Sequence, residues 1–216
     1  MAIISGYDVR MHGQIPHGDL GFDNDSHYEE FIESDIIPVV EEIIERHCGV
    51  PADYFAAGGA TVTDEYHDGD GRENLWLKYR PIVSVTTLSR NKAGLTSAVD
   101  WEDLTEGPGA SSHFLLYGDR GFIYIYGRQP GIGHKNIKVT YLAGYTLTPE
   151  PVTLVCKELA ANVLRGMLKR KLMPQNITGV LVEGGDIQSL FAEELGMTKA
   201  QKRLLVPFRL SRVSVG

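Results

Sequence analysis

Apolar residues recur along this chain with two different spacings, and the switch between them divides it. Phe31, Ile32, Ile36, Val39, Val40, Ile43 and Ile44 repeat at three- and four-residue intervals, with Glu41, Glu42 and Glu45 set between them. That spacing gives one apolar face on a helix and predicts a helix over about 27–48. Ser26 and Glu29 read as its capping box, the hydroxyl covering one backbone N–H while the carboxylate reaches back to another. Gly49 and Pro51 end it. Pro38 lacks a backbone donor and is expected to kink or split the helix.

From about residue 60 to 145 the period drops to two. Leu75, Leu77 and Tyr79 alternate with Trp76 and Lys78. The runs around Val83, Val85 and Thr87, around Phe114 and Leu116, around Ile123 and Ile125, and around Ile137, Val139 and Tyr141 follow the same rule. Such runs, rich in β-branched and aromatic residues, predict strands. Turn signals separate them at 91–94, 107–109 and 118–121, so antiparallel pairing and a hairpin at Gly118-Asp119-Arg120-Gly121 are expected. Beyond Tyr145 the helical spacing returns. Thr148 can cap, Pro149 and Pro151 fit a first turn, and Val152, Val155, Cys156, Leu159, Ala160, Val163 and Met167 form a stripe that Pro174 stops. Leu164, Leu168 and Leu172 make this stripe wider than a two-helix contact needs, which marks them as subunit-interface candidates.

These periods define an α+β chain: a small helical bundle, with core helices at 27–48 and 150–173, and an inserted antiparallel β-rich subdomain at about 60–145. The expected organisation is an N-terminal arm at 1–25, where no period is visible, a main domain at 26–174, and C-terminal helices and an extended tail at 175–216. Short helices are expected at 187–195 and 198–205. The tail alternates Phe208 and Leu210, then Val213 and Val215, with Arg209 and Arg212. This pattern suits a strand added to the sheet edge of another protein. Phe208, Arg209, Leu210, Arg212 and Val213 are therefore the partner-contact candidates.

Charge sharpens the picture. The chain carries 28 acidic and 21 basic residues, a net of −7. Residues 1–74 hold 17 Asp and Glu against 3 Lys and Arg, whereas 197–216 hold five basic residues and no acid. Two surfaces with different partners, or subunits meeting head to tail, would use that asymmetry; an acidic solvated face with a basic tail is the alternative. The acidic total, without an aromatic-plus-basic groove, argues against direct DNA binding. No apolar run approaches the length of a membrane span. The N-terminus lacks the basic stretch and apolar core of a signal peptide, so a reducing compartment is expected. Cys48 and Cys156 both lie in apolar helical contexts, where cysteine acts as a small hydrophobe. A disulfide between them stays open, although a reducing compartment disfavours it.

No constellation for catalysis stands out, and no catalytic, cofactor or metal site is expected. Residues 64–71, Asp-Glu-Tyr-His-Asp-Gly-Asp-Gly, gather oxygen ligands but lack the fixed offsets and closing Glu of a calcium loop, so they read as a solvated acidic turn. There is no Gly-x-Ser-x-Gly elbow and no phosphate-cradling loop. Cys156 sits mid-stripe, where burial suits it better than nucleophilic work. The sequon Asn176-Ile177-Thr178 would go unused in a chain without a secretory signal.

Several pieces in the middle of the chain, taken in order, resemble the head-tail connector (adaptor) family of tailed bacteriophages. They are Pro81-Ile82-Val83-Ser84-Val85, then Val99-Asp100-Trp101, then the Gly118-Asp119-Arg120-Gly121-Phe122-Ile123 hairpin. Ile137-Lys138-Val139-Thr140-Tyr141-Leu142-Ala143-Gly144-Tyr145 follows, with Thr148-Pro149-Glu150-Pro151-Val152 and an alanine- and leucine-rich helix after it. The resemblance covers residues 75–171. It implies a helical bundle with a β element inserted between helices. It also implies a virion protein of the neck, in a dodecameric ring between the portal protein and the next neck or tail protein, with double-stranded DNA passing through without specific binding. Residues 1–25 and 175–216 lie outside it. Alternatives at this point are another neck part, such as a stopper or tail terminator, or a β-rich carbohydrate-binding or enzymatic domain; an exposed line of Trp76, Trp101 and tyrosines would favour a binding module.

Overall fold

The computed structural model describes residues 2–92, 100–126, 128, 130–172 and 196–210. The chain forms two compact units, one from Met1–Ala52 with Thr148–Gly216 and one from Asp53–Leu147. The second interrupts the first, so the architecture is α+β, a helical unit with an antiparallel β unit inserted in it.

In the helical unit the order is α1 (Gly6–Gly13), α2 (His17–Leu20), α3 (Asp25–Phe31), a π-helical turn (Ile32–Ile36), α4 (Ile37–Cys48), α5 (Glu150–Leu172) and α6 (Lys199–Leu205). Residues 1–25 are thus not an aperiodic arm. Ser5 accepts a bond from the Asp8 N–H and the Asp8 carboxylate reaches back, a complete capping box, and Val9 and Ile15 are buried. Gly6 permits the approach of α1 to α3, because a Cβ there would strike the Glu29 carbonyl. Asp8 also meets Lys157 of α5 at 3.0 Å, and with Ser5 and Lys157 as donors its carboxyl is held below its ordinary pKa.

The helix expected at 27–48 begins earlier and is wound differently. Asn24, not Ser26, caps it, accepting from the His27 N–H at 2.9 Å. The π turn ends immediately before Pro38: the Ile37 N–H reaches back to Ile32. A regular helix would press the Pro38 ring against the Ser34 carbonyl, and the extra residue in the turn relieves that crowding without breaking the helix. Ile32, Ile36, Ile37, Val40 and Ile44 are fully or almost fully buried. From α5, Val152, Val155, Cys156, Leu159, Ala160 and Val163 complete the core. Helix α5 packs on α1, α2, α4 and α6, which is why its apolar stripe is broad.

The described residues of the inserted unit form seven strands: β1 (Ala60–Gly69), β2 (Asn74–Trp76), β3 (Ile82–Asn91), β4 (Trp101–Leu104), β5 (Phe114–Tyr117), β6 (Phe122–Ile125) and β7 (Gly133–Ala143). They form a four-stranded sheet in the order β1-β7-β3-β4 and a three-stranded sheet in the order β2-β6-β5. Every strand pair is antiparallel. The expected hairpin joins β5 to β6 through a short 3-10 turn, Gly118–Arg120, with Gly121 at φ 79°. Residues 64–69 of the presumed acidic turn belong to β1 instead, with a bulge between Val62 and Glu65. The chain enters and leaves this unit at one clasp. Tyr54, Phe55 and Tyr145 pack ring against ring at 5.1–6.1 Å, and the Gly144 N–H bonds to Pro81. Gly144 has φ 119°, and a Cβ there would fall on the Tyr54 carbonyl oxygen, so only glycine fits this turn.

Candidate functional site

The residues expected to meet partners differ in how the fold places them. Leu164 is fully buried in the helical unit, which removes it as a subunit-interface residue; the helices of its own chain use the face it widens. Leu168 is half-buried. The backbone of Leu172 closes α5, while its side chain, like Arg212 and Val213, lies outside the described residues.

Around 198–210 the chain is folded rather than extended. Thr198 and Gln201 form a capping box for α6, and Gln201 donates to Glu158 of α5 at 2.8 Å. Leu205 is fully buried. Phe208 closes a 3-10 turn, Val206–Phe208, instead of starting a strand. The Leu210 N–H donates to the carbonyl of Cys48 at 3.0 Å, satisfying an orphan acceptor at the end of α4. Phe208 and Leu210 are half-buried and Arg209 is exposed. Of the partner-contact candidates among the described residues, Arg209 alone is exposed.

The acidic segment of β1 is occupied by internal bonding. Glu65 Oε2 accepts from the Tyr141 hydroxyl at 2.7 Å and Oε1 from the Lys78 N–H at 3.1 Å, and His67 Nε2 lies 2.7 Å from the same Oε1. Burial alone would raise the Glu65 pKa, but His67, Tyr141 and Lys78 together hold it below the ordinary value. The Tyr141 hydroxyl in turn accepts from the Tyr79 N–H at 3.2 Å, and burial followed by the Glu65 carboxylate pushes its own pKa up. Asp68 pairs with His134 at 2.8 Å and accepts from the Lys135 N–H, and Asp70 accepts from the Arg72 N–H. Among the described residues, no group of three or more His, Cys, Asp or Glu side chains is placed to hold a metal ion. Both cysteines are free and buried. Burial pushes the Cys48 thiol up to about 11 and raises that of Cys156 as well.

The most distinctive surface is one that strand periodicity indicated only in part. On the three-stranded sheet Leu75, Phe114, Ile123 and Ile125 turn inward. The alternate positions form two rows across the strands, Trp76–Phe122–Tyr117 and Asn74–Tyr124–Leu115. Trp76 is 55% exposed and Tyr117 42%. Phe122 lies 4.9 Å from Trp76 and stacks on Tyr117 at 4.8 Å with only 12° between planes. Trp101 is elsewhere, on the four-stranded sheet beside Tyr66 and under Lys138. Trp76 and Trp101 therefore do not form a single line.

No family model matches the chain, and no curated protein matches it. Among solved structures, a chain in the neck of an empty GTA particle computed with C6 symmetry aligns over 94% of both chains, with 14% identity and a TM-score of 0.49. No helix among the described residues is long and apolar enough to cross a membrane.

Proposed function

We propose that this chain is a structural protein of a tailed-phage neck, a head-to-tail connector that forms a ring beneath the portal and carries out no catalysis. The observation that carries the reading is the coincidence of sequence signature and chain topology. The stretch at 75–171 that resembles connectors begins in the inserted β unit, runs through the Gly144 clasp and ends in the long core helix α5. A β element inserted between helices is the arrangement that the resemblance implies. The uneven charge supports the reading as well: Met1–Ala52 is strongly acidic, and the segment from Lys199 to Arg209 is basic. Contacts between unlike surfaces on successive copies close into a ring, and an acidic lumen lets DNA slide without adhering. In this reading the partners are the portal protein, the next neck or tail protein and further copies of the chain, with a dodecamer as the expected ring. The end of the chain from Arg209 onward is the segment offered to the portal.

Electron cryo-microscopy of particles carrying a tagged copy of the chain tests this. Density for the tag in a ring directly below the portal is the expected result. A position at the tail tip or on the capsid surface would exclude the connector role.

A further inference from the structure

Residues 206–210 lie against the C-terminal end of α4, where a backbone hydrogen bond fastens them beside a histidine with a sealed ring nitrogen. We propose that these residues form an acid-opened strap: with His47 neutral the strap lies closed on α4, and protonation of His47 releases it. The inference concerns the chain's own fold and stands apart from the neck assignment.

The strap has two anchors of different strength. At its far end the Leu210 N–H donates to the Cys48 carbonyl at 3.0 Å, one of the acceptors that a helix end leaves open. Just before it, α6 is held to α5 by its own contacts: Leu205 is fully buried, and Gln201 donates to Glu158 at 2.8 Å. Between the two anchors Val206 and Pro207 are exposed and Phe208 is half-buried. The stretch after Leu205 can therefore leave α4 without unfolding α6.

His47 is in the last turn of α4, one residue before that carbonyl. Its Nε2 is shut off from solvent and has no hydrogen-bond partner among the described residues. A neutral imidazole tolerates this, because Nε2 is then an acceptor and carries no charge. In a charged imidazole both ring nitrogens hold protons, and Nε2–H would be a buried, charged donor with nothing to receive it. The surrounding charges add to the penalty. Arg209 in the strap and Lys202 on α6 both act on the ring, and both are positive. On α4 itself Arg46 is engaged with Glu42, Glu45 is buried, and the Cys48 thiol, pushed up to about 11, stays uncharged. Burial, then Arg209 and Lys202, hold the His47 pKa below its ordinary 6.5, although a helix C-terminus favours a cation. Opening the strap admits water to Nε2 and carries Arg209 away, so protonation and opening favour each other. With the folded pKa depressed, the closed state has its full strength above 6.5 and loses it as pH falls through the lower, folded value. The closing equilibrium drops about tenfold for each pH unit that separates the closed and open pKa values.

Labelling the leucines of the full-length chain with heavy nitrogen gives the test. Amide exchange of Leu210 is followed by NMR from about pH 7.5 to about pH 5, the range in which a histidine changes charge. Each rate is corrected for the intrinsic rate at that pH, Leu205 serves as the control for α6, and the His47 ring is titrated in the same samples. His47 should titrate below 6.5. Protection of Leu210 should fall at least about tenfold across the range while that of Leu205 holds, a drop that one unit of pKa difference supplies. His47→Gln should remove the pH dependence at Leu210. Arg209→Gln, which leaves the histidine in place, should raise the His47 pKa and shift the midpoint of Leu210 release upward with it. Leu210 protection that stays flat in the wild type, or that falls together with Leu205, would overturn the proposal. So would a His47 that titrates at or above its ordinary value, a pH dependence that survives His47→Gln, or a release midpoint that Arg209→Gln leaves unmoved.

Discussion

Replacing Tyr141 by Phe removes one oxygen from the interior of the inserted unit and disconnects two groups at once. The hydroxyl is fully buried, donates to the Glu65 carboxylate at 2.7 Å and accepts from the Tyr79 N–H at 3.2 Å. A hydrogen bond to a charged group contributes about 1.5–3 kcal/mol. Phe fills the same ring volume, so no cavity adds to the loss. A loss of about 2 kcal/mol lowers the melting temperature of a roughly 100-residue unit by about 8–16 °C. The assay is direct, because Trp76 and Trp101 are the only two tryptophans and both lie in the inserted unit; their fluorescence during urea or thermal unfolding reports that unit alone. The pH dependence provides the second readout. Glu65 has its folded pKa held below the ordinary 4.5. The stability it contributes is therefore present above about 4.5 and lost as pH falls through the lower, folded value. Phe at 141 removes one of the bonds that depress it. The gap between wild type and variant should be full at pH 6–7 and should narrow as pH falls below about 4.5. A variant within about 0.5 kcal/mol of wild type at neutral pH, or a gap of constant size from pH 6 to pH 3, would refute the role given to this network.

Gly144→Ala should cost about 1–3 kcal/mol for the backbone conformation alone, and about as much again for the collision with Tyr54; an unchanged tryptophan unfolding midpoint would contradict the clasp. Cys48 and Cys156 should resist alkylation at pH 8 in the native protein and both react in denaturant, and rapid native labelling of Cys156, counted by intact mass, would contradict its place in the core.

The strands and the long helices were legible because their burial is periodic: Ile123 and Ile125 against Phe122 and Tyr124, or Val152 through Val163, announce a buried face by spacing alone. The division of the strands into two sheets was not legible, since alternation fixes which side chains turn inward but not which strand lies beside which. The helices within 1–25 escaped for another reason. Segments of four and eight residues rich in Gly and His display too few apolar positions for a period to emerge, although Ser5 and Asp8 held a capping signal three residues apart. At Ser26 the local signal was real in type but lost to Asn24, two residues earlier. For the candidate surfaces, Leu164 misled because a wide stripe has the same sequence appearance whether its neighbours belong to the same chain or to another. Phe208 and Leu210 misled because their alternation was compatible with a strand, while the carbonyl of Cys48 that captures the Leu210 N–H lies 162 positions away in the sequence. Trp76 and the tyrosines did point to an exposed aromatic surface, but the register that assembles it with Phe122 is a product of the fold.

The interruption of the helical unit by the inserted one governs the order in which the chain becomes buried during synthesis. Helices α1 to α4 leave the ribosome first, and their apolar faces have no α5 to cover them. Roughly a hundred residues of β unit must then be translated, which takes about 5–20 s at ordinary elongation rates. During that interval Ile32, Ile36, Val40 and Ile44, all fully or almost fully buried in the finished protein, face water or a chaperone. The Pro149–Pro151 start of α5 ends this vulnerable period, so the yield of folded protein depends on translation speed through the insertion, a property of the messenger rather than of any contact in the finished molecule.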